Sequence, residues 1–365
     1  MIGQAVRIDG EFRPGDLLDA ERMKAYIVPG VPMPARAWRI RYRSTSATGH
    51  PTMVSGVVLV PTTRYRGKGA RPLIGYAIGT QGLSNASAPS RQLAAGTEYE
   101  AVLIAGALRR GWAITLTDYP GLATPGDHPY VMGRALGPAV LDCVRAARQL
   151  GAAGLDPEGP LAIYGYSEGG HAAGWALELQ PTYAPDLPLV GGVVGAAPAD
   201  LEQMIPTHDG GTFAFLLIYG LIGLNAAYPE LDVYSHLTPK GHRAVERFGN
   251  TNIFSAIALG ASMFPKKVSA YVQQSPYELP EVIARLRENA LGSVAPAAPV
   301  LIGASTHDQI IPHAQARKLE RDWRAAGADV RRYDMRAREH VTGGIFLAPK
   351  GFGFLAERFA AHDQR

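Results

Sequence analysis

A chain of 365 residues, 47% of them apolar, can bury a sizeable core as one elaborated domain, and its formal charge of +4 is too small and too dispersed to mark a nucleic-acid surface. The single cysteine, Cys143, excludes an intramolecular disulfide and any zinc site built on several cysteines. No G-x-x-x-x-G-K phosphate loop and no histidine pair with metal-ligand spacing occurs, so neither a cofactor nor a metal is expected.

In chain order, the opening MIGQAVRIDGEFRPGD puts an arginine and acids where a secretory peptide would carry its apolar core, so no signal peptide is expected in this stretch. PGVPMPARAW reads as an extended arm because of its prolines. WRIRYRST and MVSGVVLVP suit an antiparallel pair, whereas RPLIGYAIGT and WAITLTDY are apolar on both faces, as buried strands are. PLAIYGYS, LVGGVVGAAP, PVLIGAS and DVRRYDM supply four more strands, separated by stretches of helical spacing such as AVLDCVRAARQLGA and AQARKLERDWRAAG. This alternation predicts an α/β fold, a mostly parallel central sheet flanked by helices.

The alternation lapses over residues 201–298, which read as an inserted helical cap between a first core part, 1–200, and a second, 299–365. Its most apolar window, FAFLLIYGLIGL, is about half the roughly 20 residues needed to span a bilayer, so no transmembrane segment is expected. Phe213, Phe215, Leu216, Leu217 and Ile218 offer more apolar surface than one amphipathic face uses, which suits the wall of a substrate pocket as well as ordinary cap core.

Gly165-Tyr166-Ser167-Glu168-Gly169 fits G-x-S-x-G where a strand meets a helix, a tight turn that lifts a serine hydroxyl above the sheet. A serine hydroxyl needs a base, and the base needs an acid to fix its tautomer. Asp308 follows the buried PVLIGAS strand and His340 follows DVRRYDM, so the order Ser167, Asp308, His340 is that of α/β-hydrolases. His171 lies one helical turn beyond Ser167 and suits packing or hydrogen bonding; His307 and His313 sit too close to Asp308 in sequence to serve as its base. Glu339 and Asp334 are the competing acids, one adjacent to His340 and the other inside the strand.

RPGDLLDAERM, RAWRIRYRSTSATGHPTMVSGVVLVP, YAIGTQG, GWAITLTDYPGL, GYSEGGHAAGWALELQPTYAPDLPLVGGVVGAAPADL and EHVTGGIF together resemble the secretory lipase family, the fungal lipase A type of α/β-hydrolase. The resemblance implies the hydrolase sheet with its cap, a Ser-Asp-His triad at the positions already chosen, and action on carboxylic esters including acylglycerols. The expected partner is a small-molecule or lipid ester, with transient contact to a lipid interface; oligomeric state and localisation stay open. An acyltransferase on the same triad, a peptidase of the same fold and an inert hydrolase-like binding protein are the alternatives. The backbone N–H of Glu168 is expected to supply one oxyanion donor. For the second, the resemblance carries LTDYPG, and so Asp118, into the oxyanion hole; the alternative is the N–H of Gly79 or Thr80, in the loop after the third core strand.

Overall fold

A computed structural model describes residues 13–263 and 267–364. Nine strands form one sheet in the order β1-β4-β5-β7-β6-β8-β9-β10-β11: β1 (Leu17–Met23), β4 (Ala35–Thr45), β5 (Pro51–Pro61), β6 (Leu73–Ala77), β7 (Ala113–Thr117), β8 (Leu161–Tyr166), β9 (Leu189–Gly195), β10 (Val300–Ser305) and β11 (Val330–Met335). The pairings β1/β4, β4/β5 and β5/β7 are antiparallel and the rest are parallel. Strands β6, β7, β8 and β10 are buried at every position, as expected of a sheet covered on both faces.

Helices α3 (Gly133–Gln149), α4 (Glu168–Tyr183) and α10 (His313–Ala325) pack on the sheet, α3 and α4 also against each other, and α10 is tied to α4 by the Trp323 indole N–H donating to Glu178. Also packed on strands of the sheet are α1 (Pro89–Ala95), α2 (Ala101–Arg109) and the long α11 (His340–His362). The Tyr42 hydroxyl fastens α3 to the antiparallel half of the sheet, bonded to Thr117 Oγ1 at 2.7 Å and the Ala139 carbonyl at 2.9 Å, with no exposed surface of its own. Each such bond contributes about 1 kcal/mol net, and each would cost more than that if left unmade in the core.

Two N-terminal features differ from the sequence reading. RPGDLLDAERM holds an edge strand, β1, whose half-exposed acids Asp19 and Glu21 pair with Arg41 and Arg39 of β4; its apolar alternation is too weak to stand out. Part of the expected extended arm is instead a small antiparallel hairpin of β2 (Tyr26–Val28) and β3 (Val31–Pro32), which turns at Gly30 with φ +83°. At the other edge, β11 presents Arg331, Arg332 and Asp334, charges that discourage pairing with another sheet.

Between β9 and β10 the chain forms α5 (Leu201–His208), α6 (Phe215–Ala227), α7 (Pro239–Gly249), α8 (Ile253–Met263) and α9 (Pro280–Glu288). These helices bury two apolar clusters of their own, one around Leu217, Leu221 and Val282 and one around Phe215, Tyr219 and Phe248. Among the described residues no helix is long and apolar enough to cross a membrane.

Candidate active site

Ser167 joins β8 to α4 with φ 62° and ψ −125°, a backbone conformation that costs on the order of 1–3 kcal/mol for a residue with a side chain. The neighbouring glycines make so tight a corner fit. A Cβ on Gly165 would overlap the Gly169 carbonyl, and one on Gly169 would overlap the Ala77 carbonyl, so α4 can begin directly over the ends of β8 and β6 only because both lack side chains. The corner is pinned by the Ser167 N–H, which donates to the Gly195 carbonyl at 2.9 Å, and by the His171 N–H, which donates to the Ser167 carbonyl at 3.0 Å.

The loop after β10 carries Asp308. Its Oδ1 accepts from the N–H groups of Ile310 and Ile311 at 2.9 and 2.8 Å, and its Oδ2 lies 2.7 Å from Nδ1 of His340, the first residue of α11. The His340 backbone is held as well: its N–H donates to Gln309 Oε1 at 3.0 Å and its carbonyl accepts from the Tyr166 hydroxyl at 2.7 Å. Nε2 of His340 is 2.8 Å from Ser167 Oγ. A carboxylate can only accept, so Nδ1 carries the ring proton and Nε2 keeps a lone pair for the serine hydroxyl. Three residues far apart in the chain thus form one hydrogen-bonded line, buried at its acid end and reaching a cavity at Ser167. A hydroxyl so placed can pass its proton to the imidazole as it attacks an electrophilic carbon.

The competing residues are engaged elsewhere. Glu339 caps α11, accepting from the Val341 and Thr342 N–H groups at 2.8 and 2.5 Å. Asp334 pairs with His313 at 2.8 Å and with Arg332 at 3.0 Å. His307 sits in an exposed contact with Thr306. His171 is fully buried against the Pro198 carbonyl at 3.0 Å, and that burial pulls its pKa down to about 4.

Two expectations for the oxyanion donors need correcting. Asp118 does not face the cavity: its N–H donates to the Ser55 carbonyl at 2.8 Å, and its carboxyl accepts from Ser55 Oγ, Ser90 Oγ and the Ser90 N–H at 2.6, 2.7 and 2.7 Å. With every group spent inside the core, it ties β5 to α1. The Gly79 N–H is likewise consumed, by Glu100 Oε1 at 2.8 Å. Thr80 and Glu168 do line the cavity, and among the described residues neither backbone N–H has an acceptor. Asp118→Ala should therefore act on stability, leaving three donors or hydroxyls unpaired and lowering the unfolding free energy by roughly 3 kcal/mol or more. Urea unfolding would measure that loss, while kcat per folded molecule stays within a few-fold of the parent.

The cavity holds about 460 Å³ and is lined from both the sheet side and the helices between β9 and β10. Of the expected pocket residues, Phe213, Phe215, Leu216 and Leu217 line it. Ile218 does not; it points into the cluster around Tyr219 and Phe248, because helical spacing turns successive positions of an all-apolar helix to different neighbours. Several lining residues were not singled out from sequence: His208, Ile253, Phe254 and Ile257 from the helices between β9 and β10, and Val341 and Ile345 from α11. The last two are spaced i, i+4 beside His340 and over half exposed, a spacing visible in EHVTGGIF. Glu168 also has a buried partner, His128, whose Nε2 lies 2.7 Å from its carboxyl.

The fold is that of the crystal structure of Candida antarctica lipase A, with a TM-score of 0.85 at 22% identity, covering 96% of this chain and 83% of that one. It also matches the rice cell wall degrading esterase LipA from Xanthomonas oryzae, with a TM-score of 0.73 at 22% identity over 96% of this chain and 97% of that one. In sequence, the chain is 31% identical over 274 residues to the secreted triacylglycerol lipase LIP5 of Malassezia furfur, covering 72% of this chain and 70% of that protein. It is 29% identical over 359 residues to the probable inactive lipase MT1628 of Mycobacterium tuberculosis, covering 95% of this chain and 79% of that protein. Residues 87–364 match the family described as secretory lipase, and the chain belongs to that family.

Proposed function

We propose that the protein is an active serine carboxylic-ester hydrolase, an esterase or lipase, working through an acyl-enzyme. Ser167 attacks the ester carbonyl while His340 takes its proton; the same imidazole then protonates the leaving alkoxide, and Asp308 holds the ring in the required tautomer and stabilises its charged form. Water, deprotonated by His340, releases the acid. The N–H groups of Glu168 and Thr80 receive the charge that develops on the carbonyl oxygen, replacing the Asp118 assignment. Residues 201–298 act as the cap that closes the apolar cavity over Ser167.

One observation carries this reading: the unbroken Asp308–His340–Ser167 line at 2.7 and 2.8 Å, opening on an apolar cavity. Family membership alone does not decide activity, since one relative bears the name of an inactive lipase. A peptide substrate would need polar partners for its backbone along the cavity, and the lining is mostly Leu, Ile, Val, Phe and Met. Turnover of p-nitrophenyl esters with none of peptide p-nitroanilides is the expected result; the reverse would overturn the proposal.

An apolar cavity also fixes how acyl length should be read out. Leu216 is partly buried on the wall, so Leu216→Trp fills volume without opening the core. It should lower kcat/KM for dodecanoyl and longer esters by roughly 10-fold while sparing butyrate, the scale of a few methylenes lost from a hydrophobic pocket. A chain-length series on the parent and the variant checks this.

A further inference from the structure

The polar groups on the cavity wall are almost all satisfied within the protein. Thr80 Oγ1 meets the Tyr130 hydroxyl at 3.2 Å, the Tyr99 hydroxyl donates to the Thr80 carbonyl at 3.2 Å, and the Tyr277 hydroxyl donates to the Leu217 carbonyl at 2.5 Å. Glu100 accepts from Gly79 and Tyr76, and Glu168 is paired with His128. His208, the last residue of α5, is different. It is 4% exposed, it lines the cavity, and its imidazole makes no hydrogen bond with any described residue. His340 and Asp308 lie near enough to act on its titration. An imidazole on an otherwise apolar cavity wall, with no described residue bonded to it, is free to hydrogen-bond a ligand in the cavity.

We infer that His208 is a specificity-determining residue, hydrogen-bonding a free hydroxyl on the alcohol portion of the ester and so favouring partial esters of polyols over simple alkyl esters. The inference rests on the ester-hydrolase reading above. His340 must hand its proton to the leaving alkoxide, so the alcohol portion lies on the His340 side of the cavity, and His208 lines the same cavity within electrostatic reach of His340. Burial, with the nearby His340 adding to it, pulls the His208 pKa down to about 4, and the ring is therefore neutral at ordinary pH. A neutral imidazole has one N–H to give and one lone pair to receive, and a hydroxyl can satisfy either. An alkyl group in the same place excludes water from the ring and returns nothing.

The test compares 1-monooctanoylglycerol with propyl octanoate, which has the same acyl chain and the same number of alcohol carbons without hydroxyls. The full chain, His208→Leu and His208→Gln are assayed, with active sites counted by a fluorophosphonate so that poorly folded protein does not enter kcat. His208→Leu should lower kcat/KM for the glyceride by about 10-fold relative to propyl octanoate, the scale of one neutral hydrogen bond. His208→Gln, which can still donate and accept, should restore part of the ratio. An unchanged ratio in His208→Leu, or an equal fall on both esters, would overturn the inference while leaving ester hydrolysis intact. So would a selective loss on propyl 3-hydroxyoctanoate, which would put the hydroxyl on the acyl side. A parent enzyme that hydrolyses none of these esters would contradict the ester-hydrolase reading first.

Discussion

Ser167→Ala is expected to lower kcat on p-nitrophenyl esters by about 10⁶-fold, the scale seen when the nucleophile of a serine hydrolase is removed. A residual rate above that of water, on the order of 10³-fold, should survive if the Glu168 and Thr80 N–H groups form the proposed oxyanion hole. The fold gives no reason for further loss. Alanine keeps the backbone N–H that bonds Gly195 and the carbonyl that receives His171, and it inherits the same strained φ of 62°. An unchanged melting temperature beside the lost activity separates chemistry from stability.

Asp308→Asn should cost about 10⁴-fold in kcat, the scale of a triad left with the wrong tautomer. The amide can keep its carbonyl oxygen on the Ile310 and Ile311 N–H groups, so the loop after β10 stays in place. Its NH₂ group then faces Nδ1 of His340, where the carboxylate oxygen stood at 2.7 Å. An NH₂ can only donate, which drives the ring proton to Nε2 and leaves nothing to accept from Ser167. Glu339→Gln, by contrast, should keep kcat within a few-fold, because Glu339 serves the first turn of α11. Steady-state kinetics on these two variants would distinguish the acid from its neighbour.

The parallel centre of the sheet was legible because its strands are buried on both faces and written almost wholly in apolar residues, between glycines, prolines and aspartates. The elbow was legible for a related reason: two glycines that must yield to neighbouring carbonyls flank a serine that must not be buried. Chain order then singled out Asp308 and His340, which the structure brings into hydrogen-bonding distance of each other, with His340 also in reach of Ser167. Strand β1 escaped notice because its outward residues are charged and its inward ones only half-buried, so no period stood out.

Asp118 shows where motif reasoning fails. Its place after β7 suits a loop residue at the site, yet the side chain turns inward to Ser55 and Ser90, partners whose approach depends on how β5 and α1 pack. His208 was missed for the opposite reason. A lone histidine in MIPTHDGG has no local pattern to distinguish it, and its standing comes only from what surrounds it: an apolar wall with no partner to offer.

On the proposed mechanism, Ser167, activated by His340, forms a covalent acyl-enzyme. The most direct test is reaction of the full chain with a fluorophosphonate ester, followed by peptide mass spectrometry to locate the adduct. One equivalent of label is expected on the peptide containing Ser167, with esterase activity lost in proportion to labelling. Labelling at a different serine, or full esterase activity in a protein whose Ser167 is completely modified, would contradict it.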